Sequence, residues 1–262
     1  METIKDRIIF LIFSCKQNLD SRISLMKKSW INDLDQLGYK YFIVYANPKM
    51  NKPYEINDTE FIVKAKDDYS HFPRKVIRTF FFIKKHFGNE IDGVFKFDDD
   101  IIVNMVRLQN YLEEIKKHNY FGRISNFENQ YNNTYKGLIN TIPYQGPYYN
   151  GNSGYYISCQ GIDFIENQYM KKLPKIMDEL FEDKLVGDCM REMGEEIKEH
   201  GCWTFTCLRY IMANKNNPEF RERLEKFKKT KSVNQIKSVY RSFMVIQDGI
   251  LLLERISKKN GF

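Results

Sequence analysis

An α/β fold with a mixed, mainly parallel sheet flanked by helices is predicted by two features of this chain. Apolar runs of strand length recur along it, and segments of helical period stand between them, set apart by Gly, Asn and Pro stops. The order strand, helix, strand, strand, helix, strand with short connections favours crossover helices and parallel neighbours. At 262 residues the chain can bury the core of one large α/β domain, or of one domain with an appendage.

The run Ile8-Ile9-Phe10-Leu11-Ile12-Phe13 predicts a first strand over 7–15. It is too short to span a bilayer and has no small-residue cleavage site, so it reads as a strand and not a signal. Apolar spacing over 22–30 suits an amphipathic helix. A second strand over 40–45 ends at Asn47-Pro48, a short third one covers 60–63, and a helix around 76–86 stops at Gly88. The strand that follows starts at Val94 and carries Asp98-Asp99-Asp100 on towards Asn104. A helix over 105–117 and a strand from Tyr120 come next. The segment 126–150, rich in Asn, Tyr, Gly and Pro, predicts a long loop of the functional or disordered kind. Beyond Trp203 the chain becomes a charged amphipathic helical stretch over 218–259. The expected organisation is a catalytic-sized domain over 1–214 and a basic C-terminal helical appendage over 215–262.

Charge supports that division. Residues 1–214 hold 29 basic and 29 acidic side chains, whereas 215–262 hold 12 basic and 5 acidic and so carry the whole net charge of +7. A basic tail of this kind fits a solvated face first and peripheral contact with an anionic membrane second; without a reading motif it gives no reason to expect nucleic acid. No stretch reaches membrane-spanning length. Cys15, Cys159, Cys189, Cys202 and Cys207 are odd in number and scattered, with neither a Cys-x-x-Cys pair nor a zinc spacing. Reduced thiols and a cytoplasmic setting are expected.

Three consecutive carboxylates at the end of an apolar strand are costly beside a core, and a cation is the natural neighbour. On an extended chain Asp98 and Asp100 would point to one side and Asp99 to the other. Hard carboxylate oxygens suit magnesium or manganese. The carboxyl end of a strand is also where open α/β sheets gather ligands. Downstream, Gly151-Asn152-Ser153-Gly154-Tyr155 combines glycines that admit close backbone approach with a tyrosine suited to sugar contact; a Gly-rich turn before a strand is the plainer reading. Glu182 and Asp183 open a helix, where the helix dipole alone would favour carboxylates.

In this order and at about this spacing, from residue 7 to 205, the motifs together resemble the β-1,3-galactosyltransferase group, glycosyltransferase family 31. Phe95-Lys96-Phe97-Asp98-Asp99-Asp100-Ile101-Ile102-Val103-Asn104 is similar to its Lys-x-Asp-Asp-Asp signature. Asp67-Asp68-Tyr69 with Lys75 resembles its Asp-Ser-Tyr…Lys element, Lys27-Lys28-Ser29-Trp30 its Arg-Lys-Thr-Trp, and Glu182-Asp183-Lys184-Leu185-Val186-Gly187 its Glu-Asp-Val-x-x-Gly. The resemblance implies a Rossmann-like GT-A fold and an inverting, metal-dependent transfer from a UDP-sugar donor to a hydroxyl of a glycan or glycoprotein acceptor. It implies Mn2+ (or Mg2+) on Asp98 and Asp100, Asp183 as catalytic base, and substrate contacts from Arg22, Asp67, Lys75, Asp98, Asp99, Gly154, Tyr155 and Glu182. Galactose is the first expectation for the donor, ahead of xylose, glucose and N-acetylglucosamine.

The chain departs from the group in three places. No histidine follows His200, where relatives carry one that completes the metal site, and His200 could substitute only if its segment folds back. Asn150 stands where the group has a cysteine, and a signal anchor like that of Golgi-resident relatives is not expected from the run over 7–15. Two other readings compete. A metal-dependent phosphoryl or nucleotidyl transferase also uses paired carboxylates, but the chain has no Gly-x-x-x-x-Gly-Lys loop. A carbohydrate-binding protein on the same scaffold would have no turnover.

Overall fold

The computed structural model describes residues 7–125, 134–135, 138–139, 144–177, 179–200, 204–207 and 218. In chain order its strands are β1 (Ile8–Phe13), β2 (Tyr41–Ala46), β3 (Tyr54–Asn57), β4 (Glu60–Val63), β5 (Gly93–Asp98), β6 (Ile101–Val103), β7 (Tyr120–Gly122), β8 (Ile124–Ser125), β9 (Thr134–Tyr135), β10 (Leu138–Ile139), β11 (Tyr148–Tyr149), β12 (Tyr155–Ser158) and β13 (Thr204–Cys207). The helices are α1 (Ser24–Lys27), α2 (Trp30–Leu37), α3 (Phe72–Phe87), α4 (Met105–Gln109), α5 (Leu112–Ile115), α6 (Cys159–Met177) and α7 (Glu182–Met193). The chain divides into two compact units, one of Met1–Lys16, Tyr39–Asp98 and Leu112–Cys202, the other of Gln17–Gly38, Asp99–Tyr111 and Trp203–Phe262.

The first unit holds a seven-stranded sheet in the order β3-β4-β2-β1-β5-β12-β7. β1 runs parallel to β2 and β5, and β2 parallel to β4. β12 runs antiparallel to both β5 and β7, which turns β7 back to the direction of β5, and β3 is antiparallel to β4. Five strands therefore share one direction and two oppose it, the mixed, mainly parallel α/β sheet that the element order predicts. β1 is buried along its whole length, as a strand covered on both faces must be. On one side Ile9, Leu11 and Phe13 join Val76, Ile77, Phe80 and Ile83 of α3 and Val186 and Met190 of α7 in a single core. On the other, Phe10 stacks on Phe95 and Phe97. α3 begins with Pro73 in its first turn and ends with Lys84, Lys85 and His86 before Gly88, each where helix-end chemistry favours it.

In the second unit a π-helical turn over Leu19–Ile23 leads into α1 and α2, and β6 pairs antiparallel with β13. Trp30 is fully buried and its Nε1 donates to the carbonyl of Ile101 at 3.0 Å. Asn104 caps α4 through the N–H of Arg107.

Several local expectations change. The strand expected from Val94 to Asn104 is two strands, because the chain turns at Asp99-Asp100 and β6 leaves the large sheet for β13. The alternation that would place Asp98 and Asp100 on one face of a continuous strand does not apply across that turn. The helix expected over 22–30 breaks at Lys28-Ser29 and resumes as α2, which runs to a left-handed Gly38. The helix expected over 105–117 is two short ones, and β3 forms in a stretch with no predicted element. The appendage over 215–262 lies outside the described residues apart from position 218. Among the described residues no helix is long and apolar enough to cross a membrane.

Candidate active site

Strand alternation along β5 puts Phe95 and Phe97 on the Phe10 side and leaves Lys96 and Asp98 to the other. Lys96 is fully buried there. A buried ammonium is tolerated only when its donors are met. Lys96 Nζ is paired with Oε1 of Glu182, lies 2.7 Å from Oδ1 of Asp98, and reaches the carbonyl of Gly151 at 3.4 Å. Burial alone would push the ammonium down, but the charges of Asp98 and Glu182 outweigh it and hold it above the usual lysine range. Because β12 pairs Tyr155 directly with Lys96, the Tyr155 hydroxyl reaches the other oxygen of Glu182, Oε2, at 2.6 Å.

Glu182 and Asp183 form the first turn of α7. Burial pushes the Glu182 carboxyl up to about 7; Lys96 opposes the rise, while Asp183 and Asp98 add to it. Asp183 keeps part of its side chain exposed. Its Oδ2 accepts from the N–H of Gly151 at 3.0 Å and its Oδ1 from the N–H of Lys184 at 2.9 Å. Burial raises it above the ordinary carboxylate range, against the Gly151 hydrogen bond and the Lys96 charge. Gly151 opens the turn Gly151–Ser153 that leads into β12. Gly154 ends that turn at φ +73°, so near Phe97 that a Cβ would lie 2.3 Å from its ring.

A second cluster of the same unit gathers beyond the carboxyl end of β1. Lys75 of α3 is buried and donates to the carbonyl of Ser14 at 2.7 Å and to Oδ1 of Asp67 at 2.8 Å. Oδ2 of Asp67 accepts from the N–H of Lys16 at 2.9 Å. Asp98 ends β5, the parallel neighbour of β1. In open α/β sheets this rim is where ligands bind.

The second unit carries the rest of the triplet. Asp99 is buried, with Oδ1 accepting from Arg22 Nη1 and Oδ2 from Asn18 Nδ2, both at 2.8 Å. Arg22 Nη1 lies 3.9 Å from Oδ2 of Asp100. His200, in the first unit, stacks on Phe121 at 4.2 Å between ring centroids and neighbours His118 at 4.8 Å, and burial lowers its pKa. Among the described residues no three His, Cys, Asp or Glu side chains are grouped to hold an ion.

The structure thus gathers Asp98, Tyr155, Glu182, Asp183 and the Gly154 turn at one place, pairs Asp67 with Lys75 at another, and pairs Arg22 with Asp99 at a third. Two residues that sequence reasoning passed over complete the first cluster. Lys96 signals itself as a lysine inside the apolar strand run Val94-Phe95-Lys96-Phe97. Gly151 has no comparable mark, since its role depends on a contact with Asp183, 32 positions away.

Carboxylates at the rim of a mainly parallel sheet, facing a helix that opens on two more, are an arrangement suited to an α/β enzyme. A family model described as Fringe-like matches residues 3–244. The chain belongs to that family, whose members are family 31 β-1,3-glycosyltransferases, and it is a glycosyltransferase. No curated protein matches the chain.

Proposed function

We propose that this glycosyltransferase moves a sugar from a UDP-sugar to a hydroxyl of a glycan or glycoprotein, with inversion and with Asp183 as base. The observation that carries the reading is the setting of Asp183. It is partly exposed, raised by burial above the ordinary carboxylate range, and aimed by the N–H of Gly151, as suits a general base. Asp183 takes the proton of the acceptor hydroxyl as its oxygen attacks the anomeric carbon, and the bond from that carbon to the UDP oxygen breaks on the opposite side. Glu182, fixed by Lys96 and Tyr155, orients the acceptor or the donor sugar. Asp67 and Lys75, at the rim of the sheet, contact the nucleotide; Arg22 and Asp99 are assigned to the donor as the family resemblance implies.

Asp98 and Asp100 are the residues that would hold Mn2+ or Mg2+. Their donor set fits: hard carboxylate oxygens, of which Asp98 sits at a strand end with about a fifth of its side chain exposed. Two protein carboxylates are a usual complement for a divalent ion that takes its remaining ligands from water and substrate phosphates. A bound ion supplies Lewis-acid stabilisation of the leaving diphosphate. Galactose is the first candidate sugar. A reducing, cytoplasmic setting is part of the proposal, on the ground of five scattered cysteines with no Cys-x-x-Cys pair in the sequence. The domain assignment, 1–214 for catalysis and 215–262 as a basic helical extension whose charge is a solvated face first and a membrane contact second, belongs to the same proposal.

The test is a screen of UDP-sugars for manganese-dependent hydrolysis and transfer, on wild type, Asp100→Ala and Asp183→Asn. Turnover of one donor that stops in both variants is the expected result. Turnover that survives Asp183→Asn removes the base assignment, and no binding of any UDP-sugar removes the donor reading.

A further inference from the structure

We propose that Lys96 is a positioning residue for sugar transfer: one buried cation that holds Asp98, Glu182 and the Gly151 turn in a fixed relation, and so sets the donor side of the site against the base. The proposal rests on the assignment of Asp98 to the donor and of Asp183 to the acceptor proton.

The three groups on Lys96 Nζ come from three segments far apart in sequence. Asp98 ends β5, Glu182 opens α7, and Gly151 starts the turn before β12. Each segment delivers one element of the reaction. Asp98 is the donor-side carboxylate, Glu182 precedes the base in the same helical turn, and Gly151 directs its N–H at the base. The ammonium has no freedom to choose other partners. It is fully buried, with the ring of Phe72 centred 5.4 Å away and that of Tyr155 5.7 Å away. Tyr155 fixes the far oxygen of Glu182, so that carboxylate cannot rotate away. Stability is a weak reason for a buried ion pair here, since replacing both partners of such a pair by well-packed apolar residues is often neutral or stabilising. Specifying one geometry is a use that an apolar side chain cannot fill. Lys96 is not exposed to touch substrate, and it acts through the residues it holds.

Lys96→Met alone leaves Asp98 and Glu182 facing each other without a cation and can fail to fold. The decisive comparison is therefore Glu182→Gln against Lys96→Met/Glu182→Gln, in which the buried pair is neutralised. The measurements are kcat and KM for UDP-sugar turnover with manganese, UDP affinity by titration calorimetry, and melting temperature. With Glu182 already neutral, loss of Lys96 is expected to lower kcat by about 100-fold, the scale of a small misplacement of reacting groups. UDP is expected to bind about 10-fold more weakly, the scale for removing a residue that orients a ligand-bearing carboxylate. The melting temperature is expected to fall below that of Glu182→Gln because Asp98 loses its cation, so kcat and UDP affinity are compared at a temperature where both variants are folded. UDP affinity reports on the Asp98 side even where Glu182→Gln has already slowed transfer.

Equal kcat and equal UDP affinity in the two variants would mean that Lys96 only neutralises Glu182, and would overturn the proposal. That outcome, beside a wild type whose turnover stops in Asp183→Asn, leaves the donor and base assignments standing. A wild type that neither binds nor turns over any UDP-sugar overturns those assignments and this proposal together.

Discussion

The N–H of Gly151 donates to Oδ2 of Asp183 at 3.0 Å, and a Cβ on the same glycine would stand 2.7 Å from Glu182 Oε1 and 2.9 Å from Lys96 Nζ. One residue thus aims the carboxylate proposed as base and leaves the gap through which the ion pair behind it closes. The conformational freedom of glycine is not the point here. What matters is the missing side chain, because the two atoms it would meet are buried and already tied to partners.

Gly151→Ala should therefore slow the enzyme more than it unfolds it. Overpacking costs about 1–3 kcal/mol, whereas displacing the N–H from Asp183 should reduce kcat by about 10- to 100-fold with donor KM little changed. Steady-state kinetics beside a melting curve separate the two effects. A variant with normal kcat would show that Asp183 does not depend on this contact.

Much of the fold was legible because its signals are local. The buried runs of β1, β2 and β5, the span of α3 and the stop at Gly88 all follow from apolar period and end chemistry within a dozen residues. The candidate carboxylates were legible for a similar reason, since acids at a strand end or a helix start are visible against their neighbours. What the chain does at Asp99 was not. β6 turns away to pair with β13, about a hundred residues further on, and neither strand carries a mark of the other. The insertion of β12 antiparallel between β5 and β7 is likewise a long-range choice, yet it is what brings Tyr155 opposite Lys96. Lys96 itself broke the apolar pattern of its strand, and a charge in such a place asks for buried partners before they can be seen.

The Glu182 carboxyl should give stability a distinct pH slope. Its folded pKa, about 7, lies above the ordinary glutamate value of 4.5. Between those two pH values the folded protein holds a proton that the unfolded chain has released. The contribution is therefore complete below about 4.5 and is lost as pH rises towards 7. Lys96, held above the usual lysine range, stays charged throughout and adds no slope there. Glu182→Gln should gain on wild type by up to about 1.4 kcal/mol for each pH unit across that window. Denaturant midpoints at pH 5 and pH 7 measure it, and parallel curves for the two proteins would mean that Glu182 is ionised throughout.

Lys75 should matter to the nucleotide and to the fold at once. Its ammonium joins α3 to the loop after β1 through Ser14, and to Asp67, with both side chains largely buried. Lys75→Met removes one partner of that pair and should cost about 3 kcal/mol, the lower end for breaking a buried ion pair. Released from Lys75, Asp67 should also lose its place at the rim, and UDP should bind about 10-fold more weakly. Calorimetry with UDP and manganese is the check. An unchanged affinity at reduced stability would make the Asp67–Lys75 pair a brace for α3 and nothing more.

Asp99 and Asp100 are adjacent and should nevertheless fail in different ways. Asp99 has one oxygen on Arg22 and the other on Asn18, so both are engaged by the protein. Asp99→Asn keeps the shape but loses the charge facing Arg22, and should lower the melting temperature while the enzyme still responds to manganese. Asp100→Ala should abolish that response, and chelation should silence the wild type and Asp99→Asn alike. A manganese titration of UDP-sugar hydrolysis on the three proteins separates the roles. If Asp99→Asn shifts the half-saturating manganese concentration as far as Asp100→Ala does, Asp99 is a ligand, and Arg22 must release it when donor and ion arrive.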